Sequence, residues 1–321
     1  MPFQELEFAK PIVEALLGRP VPHVRCYELP GRDLVELYRA AGCDMAYVST
    51  IWELGRNNFI DAHGRKHYVD GTFKTRASLR EIAFPDLDAL RRRLEEVTGA
   101  LAGTGLGLIF APNPVPFLVT TAIGYQDYYQ ALVDDPEFVL EFQQRLQAWC
   151  FAELAVALEY PVDVIRIGAV LCTKQGPLMN GEMLERFEYP YLREVAHRIH
   201  AGKRLALLHA DGDLTALLPD LVAMGYDILH PIEPCGGVQD IGRIQQRYGD
   251  RLAVHGNIDV GSVLAPGTPE EVRRVTQAHL DRLAPRGGYI CGSSHDISED
   301  VPFANLIALR DTVLDYRASG G

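Results

Sequence analysis

Four stretches of this chain end in residues that bind metals or move protons. They are Leu205-Ala-Leu-Leu-His209-Ala-Asp211-Gly, Ile228-Leu-His230-Pro-Ile-Glu233-Pro, Leu252-Ala-Val-His255-Gly-Asn257-Ile-Asp259 and Tyr289-Ile-Cys291-Gly-Ser-Ser-His295-Asp296. Each begins with a short apolar run of the kind that forms a buried strand. The ends of neighbouring strands in a parallel barrel meet on one face, and that face is where such folds place their chemistry. Imidazole, carboxylate and thiolate are the ligands of zinc, and the same groups serve as general acids and bases.

His209 and Asp211 alternate along one strand, so both side chains reach the same ion or the same substrate. Gly212 suits a sharp turn leaving that strand, although Asp211 or Asp213 equally suits the cap of a helix starting near Leu214. Glu233 lies between two prolines that keep its backbone extended. It reads as a ligand, a general base or a partner that orients a histidine, or else as half of a surface salt bridge. Cys235 faces the same way or is an inert buried thiol. His255 is a catalytic group or a packed, hydrogen-bonded histidine. Asn257 reads as a hydrogen-bonding group for substrate, and Asp259 as a turn or cap residue. Cys291 or His295 completes a metal set. A zinc site of this kind holds three protein ligands and one open position, and mixed nitrogen and oxygen donors also accept other first-row ions. Asn113, in the rigid Pro112-Asn-Pro-Val-Pro116 loop, reads as pocket-facing. Asp163 and Arg166, flanking another apolar strand, are structural or read a substrate carboxylate.

The elements that must position these groups alternate along the chain. Apolar runs at Met45–Ser49, Leu106–Pro112, Val162–Ala169, Leu205–Ala210, Ile228–Ile232, Leu252–Gly256 and Tyr289–Gly292 predict strands. Amphipathic stretches at Pro85–Leu101, Asp135–Leu158, Gly181–His200 and from Thr268 to Leu283 predict helices. Pro136 and Pro269 sit at favourable first-turn positions. This alternation predicts an α/β fold, a single-domain TIM (β/α)8 barrel over residues 1–321. The polar, aromatic segment Ile51–Thr75 breaks the pattern and predicts a hairpin or lid insertion. Gly103-Thr-Gly-Leu-Gly107 precedes a strand instead of opening a helix, so it is no dinucleotide fingerprint. With 321 residues, 47% of them hydrophobic, the chain can bury a sizeable core. A net charge of −12 argues against nucleic acid or an anionic membrane as a partner. Six scattered cysteines without a CxxC pair, no signal-like N-terminus and no long apolar stretch predict a cytoplasmic protein.

Segments in the second half, taken in order, resemble the uroporphyrinogen decarboxylase superfamily, and within it the cobamide-dependent methyltransferases. They are Gly176-Pro-Leu-Met-Asn180, Leu207-Leu-His209-Ala-Asp211-Gly-Asp213 and Gly225-Tyr-Asp-Ile-Leu-His-Pro-Ile232. Tyr248-Gly-Asp-Arg-Leu252 running into Gly256-Asn-Ile-Asp259, Gly267-Thr-Pro-Glu-Glu-Val272, Ala284-Pro-Arg-Gly-Gly-Tyr-Ile290 and Asp300-Val-Pro302 leading into Asn305 follow. The resemblance is dense over residues 160–315 and loose over the first 150. It implies a TIM barrel with the site at its C-terminal face. The methyltransferase branch binds zinc through a His-x-Cys on a strand and a distant Cys. His209 matches the first ligand, Asp211 stands at the first Cys, and His295 falls about where the second Cys would be. The implied activity is zinc-dependent transfer of a methyl group between a small methylated substrate and a corrinoid cofactor or corrinoid protein. Glu233 or His255 would orient the ligands or protonate the leaving group, while in a decarboxylase Asp211 and the histidines would handle protons. The alternative is a metal-independent decarboxylase in which Arg166 holds a carboxylate, although no Arg-Gln-Ala-Gly-Arg-like segment stands near the N-terminus. The family also suggests a homodimer.

Overall fold

The structure, a computed structural model, describes residues 1–22, 25–61 and 66–320. Seven parallel strands form one curled sheet whose spatial order follows the chain: β1 (Met45–Ser49), β2 (Gly107–Ala111), β3 (Val164–Gly168), β4 (Leu205–His209), β5 (Ile228–His230), β6 (Ala253–His255) and β7 (Tyr289–Ile290). All seven coincide with the predicted apolar runs, each trimmed by a residue or more except at Met45–Ser49. Strands buried on both faces give continuous apolar runs.

The N-terminal segment fills the gap between β7 and β1. Phe3 and Phe8 make parallel bridges to Cys291 and Ile297, beside and beyond β7. On the other side the Gln4 side-chain amide replaces a strand's backbone. Its Oε1 accepts from Met45 N at 3.0 Å and its Nε2 donates to Met45 O at 3.1 Å. Asp44 N also donates to Phe3 O at 3.0 Å. With this eighth stave in place the fold is the expected TIM barrel.

Helices cover the outside, among them Leu87–Leu101, Pro136–Leu158, Ile241–Tyr248 and Pro269–Leu283. Asp86, Asp135 and Thr268 cap the first, second and fourth of these through their side chains. The helix expected over Gly181–His200 is two helices, Gly181–Phe187 and Tyr189–Ala201. Pro190 sits in the first turn of the second and lacks the N–H that a continuous helix would use.

The insertion after β1 is an antiparallel hairpin of Arg56–Ile60 and Lys66–Gly71. Residues 62–65 of the predicted insertion lie outside the described residues. The hairpin leaves from the C-terminal end of β1, the face where the candidate site lies. It is held to the helix Val115–Ile123 by Tyr68, whose hydroxyl donates to Thr121 O at 2.9 Å, and by the Arg56 guanidinium 5.2 Å from the Phe117 ring. Among the described residues no helix is long and apolar enough to cross a membrane.

Candidate metal centre

Register alone brings three histidines into one row. His209 ends β4 opposite His230, which ends β5, and His255 ends β6 one strand further on. All three are buried. His209 Nδ1 lies 2.8 Å from His230 Nδ1, and the His230 and His255 rings are 4.3 Å apart. His255 Nε2 donates to Gln4 O at 2.8 Å, which leaves its Nδ1 bare, buried and without a partner. Burial and the neighbouring imidazoles hold His230 well below the usual histidine range. Burial pushes His255 down to about 4, with only the Gln4 carbonyl pulling the other way. Burial and then the Arg166 charge also lower His209, against the pull of Asp211. The row is therefore neutral near pH 7.

Above the row, the turn after β4 projects Asp211 towards the same point. Gly212 takes φ +86°, and a Cβ there would sit 2.5 Å from Thr173 O, so the turn requires glycine. Glu233 Oε2 accepts from Gly212 N at 2.6 Å and fixes that turn. Asp211 Oδ1 lies 3.6 Å from His209 Nε2 and 4.0 Å from His295 Nε2. Donor atoms of His209, Asp211 and His295 all lie within 4.8 Å of one another. Asp211 Oδ1 is buried and has no hydrogen-bond partner. Burial pushes this carboxyl up, but His209, His295 and Arg166 outweigh it and hold it at about 2.

The predicted site residues thus divide. His209, Asp211 and His295 converge. Glu233 stands beside them, engaged with backbone and not with a basic partner. The turn at Thr215 is taken by Asp213, at 3.0 Å from Thr215 N, which leaves Asp211 free for the cluster. His255 lies under the cluster with its one N–H committed to Gln4, so it is no proton donor to substrate. Asn113 is not a pocket residue. Its Oδ1 accepts from Trp52 N at 2.9 Å and its Nδ2 donates to Glu153 Oε1 at 2.8 Å, tying the loop to the helix Pro136–Leu158. Asn257 faces the helix Pro269–Leu283, its side-chain amide 3.1 Å from His279 Nε2, and lines a separate cavity there. Asp163 precedes β3 and accepts from Leu108 N at 2.8 Å, at the opposite end of the barrel from the site. Cys291 is buried against the N-terminal stave, its thiol pushed up to about 12, and takes no place in the cluster.

Other residues near the cluster carry no signal in the motif pattern. His230 stands in one of the four opening stretches without an assigned role, and strand register with His209 supplies one. Glu5 and Glu7 come from the N-terminal stave. Glu5 is buried, its oxygens accepting from Ser293 N and Ser293 Oγ, and burial pushes it up to about 8 against those bonds. Burial and Asp296 push Glu7 up to about 7 against Arg166 and Arg25. Glu7 and Asp296 line a cavity of about 640 Å³ that continues to Tyr27, Ile51 and Glu53.

Residues 85–316 match the protein family described as uroporphyrinogen decarboxylase (URO-D). Curated relatives include the uroporphyrinogen decarboxylase of Coxiella burnetii (strain Dugway 5J108-111), 23% identical over 203 residues, 62% of this chain and 51% of that protein. That of Burkholderia pseudomallei (strain 1106a) is 28% identical over 260 residues, 75% of this chain and 68% of that protein. The chain thus spans about half the length of the Coxiella relative it matches. Among solved structures, a methyltransferase from Methanosarcina mazei is similar with a TM-score of 0.74 at 13% identity, over 98% of this chain and 95% of that one. The D-psicose 3-epimerase of Clostridium cellulolyticum H10 is similar with a TM-score of 0.51 at 13% identity, over 91% of this chain and 94% of that one. At these identities the structural likeness is one of fold.

Proposed function

The chain belongs to the uroporphyrinogen decarboxylase family, a family of enzymes, and we propose that it is a zinc-dependent methyltransferase acting on a small methylated substrate. The observation that supports this best is the convergence of His209 Nε2, Asp211 Oδ1 and His295 Nε2 at the barrel mouth. The donor set fits the ion. A tetrahedral zinc with bonds of about 2.1 Å separates its ligands by about 3.4 Å. Asp211 stands 3.6 and 4.0 Å from the two imidazoles, within a small contraction of that spacing. The carboxylate is ionised and His209 is neutral, the protonation states that metal binding requires. The buried Asp211 Oδ1 lacks the partner that a cation would supply.

When bound, the ion supplies a Lewis acid that polarises the heteroatom bearing the methyl group. The chain's own residues prepare the site. His230 engages Nδ1 of His209, so that Nε2 points its lone pair at the cluster. Glu233 holds the Gly212 turn, which keeps Asp211 over the mouth. The methyl acceptor in this reading is a corrinoid, as cofactor or on a partner protein; this part rests on the sequence resemblance alone.

Elemental analysis tests the proposal. About one zinc per chain is expected after purification with zinc, and none in His209→Ala. Methyl transfer to cob(I)alamin should be lost together with the metal. A protein that takes up no zinc, or a His209→Ala variant that keeps it, ends the metal reading. The unpaired Arg166 in the same mouth favours a second reading, metal-independent decarboxylation. Release of CO2 from a carboxylate substrate by EDTA-treated protein would establish it in place of the first.

A further inference from the structure

Arg166 is a predicted site residue that the metal centre does not use. It lies on β3 two residues before Gly168, so both face the same side of the strand. Gly168 pairs in register with His209. A Cβ on Gly168 would sit 3.4 Å from Arg166 Nη1. The missing side chain therefore leaves the space along which the guanidinium climbs to the level of the histidine row. Its charge is felt there by His209, His230 and Asp211, and beyond them by Tyr47 and Glu7.

Among the described residues this cation has no partner. Its Nε is fully buried without an acceptor, and among the described residues none forms a hydrogen bond or ion pair with the guanidinium. Buried charges are ordinarily paired, and a guanidinium matches a carboxylate through two parallel hydrogen bonds. The acids nearby are committed elsewhere. Asp211 belongs to the two histidines, and Glu7, pushed up to about 7, is not a permanent counter-ion.

We propose that Arg166 anchors a carboxylate of the substrate, so that the methylated compound taken by this site is a small organic acid and not a neutral methyl donor. The inference rests on the methyltransferase reading for the word methylated, and on Arg166 alone for the word acid. No step of the transfer changes. The anchor fixes one end of the molecule while its heteroatom reaches the His209–Asp211–His295 cluster.

Calorimetric titration of methoxyacetate and 3-(methylthio)propionate, each against its neutral primary amide, tests this in zinc-loaded and in EDTA-treated protein. The acids should bind and the amides should bind at least about tenfold more weakly, in both forms of the protein. Arg166→Gln should erase the difference, and Arg166→Lys, which keeps the charge without the planar fork, should recover part of it. Arg166→Gln should also melt no lower than wild type, since it removes a half-buried cation that has no acceptor among the described residues. Absence of acid-selective binding overturns the proposal. So does a Gln variant that melts lower while binding the acids as well as wild type, since Arg166 would then be a structural brace. Zinc content decides the metal reading separately, and the acid–amide difference in metal-free protein decides this one.

Discussion

Replacing His230 with Phe isolates the part of the site that register, and not a motif, brings together. His209 can present Nε2 to a metal only if its proton sits on Nδ1, and that N–H then donates to His230 Nδ1 at 2.8 Å. The His230 ring lies between those of His209 and His255, with centroids 5.0 and 4.3 Å away. A phenyl ring keeps that packing and removes only the acceptor. The His209 N–H is then buried without a partner, at a cost of about 1–3 kcal/mol, or the proton moves to Nε2 and blocks the ligand. At 1.4 kcal/mol per decade this is about a 5- to 150-fold loss of zinc affinity, the range typical for partners that orient ligating histidines. Competition for zinc against a chromophoric chelator near neutral pH reads it directly. Circular dichroism and the melting temperature establish that the variant is folded. A folded His230→Phe protein with wild-type zinc affinity would falsify the argument. His255→Phe should weaken zinc binding less, because its own hydrogen bond runs to Gln4 and not to the ligand.

Two predictions concern the frame around the site. Gln4→Ala leaves Met45 N–H and C=O without their partners at the seam where the barrel closes. A loss of about 2–4 kcal/mol is expected from two unmet groups, seen as a lower denaturant midpoint at constant slope; an unchanged midpoint would mean that the stave is not what closes the barrel. Glu188 is buried, bonded to Tyr128 at 3.2 Å, and pushed up to about 8 by burial, against the Tyr128 hydrogen bond. Its contribution to stability is complete below about pH 4.5 and fades as pH rises through about 8, because folding favours its protonated form. Glu188→Gln should therefore match wild type near pH 5 and be the more stable protein near pH 9 by urea unfolding. A difference that does not vary with pH rules this out.

The barrel was legible because most of its staves are buried on both faces and spell themselves as apolar runs bounded by glycine and proline. The eighth stave was not. Phe3-Gln-Glu-Leu-Glu-Phe8 is half polar with no continuous apolar run, and its acids look solvated. In the fold Glu5 turns inward onto Ser293 and Glu7 lines the cavity, and neither position can be told from a solvated one by residue type. Strand ends misled for a related reason. A polar residue there has several obligations, and the one that wins lies far away in sequence. Asn113 answers to Glu153, Asn257 to His279, and Asp163 to Leu108. His209, Asp211 and His295, the three that the family resemblance singles out, do come together, with Asp213 and not Asp211 taking the turn at Thr215.

Two parts of the chain meet at the barrel mouth. His209, Asp211, His295 and Arg166 all come from within residues 85–316, the stretch that matches the family. Most residues lining the cavity beside them come from before residue 85: Glu7, Phe8, Arg25 and Tyr27 near the N-terminus, Glu53 just before the hairpin and Lys66 at its far end, opposite Ile60. In the proposed reading the matched stretch would set which bond is activated and where a charge is anchored, while the unmatched stretch would set the shape that the rest of the substrate must fill. A barrel mouth permits this division, because each stave contributes its loop to one face without disturbing the sheet beneath. Relatives that share the matched stretch can keep this chemistry and differ in what they accept.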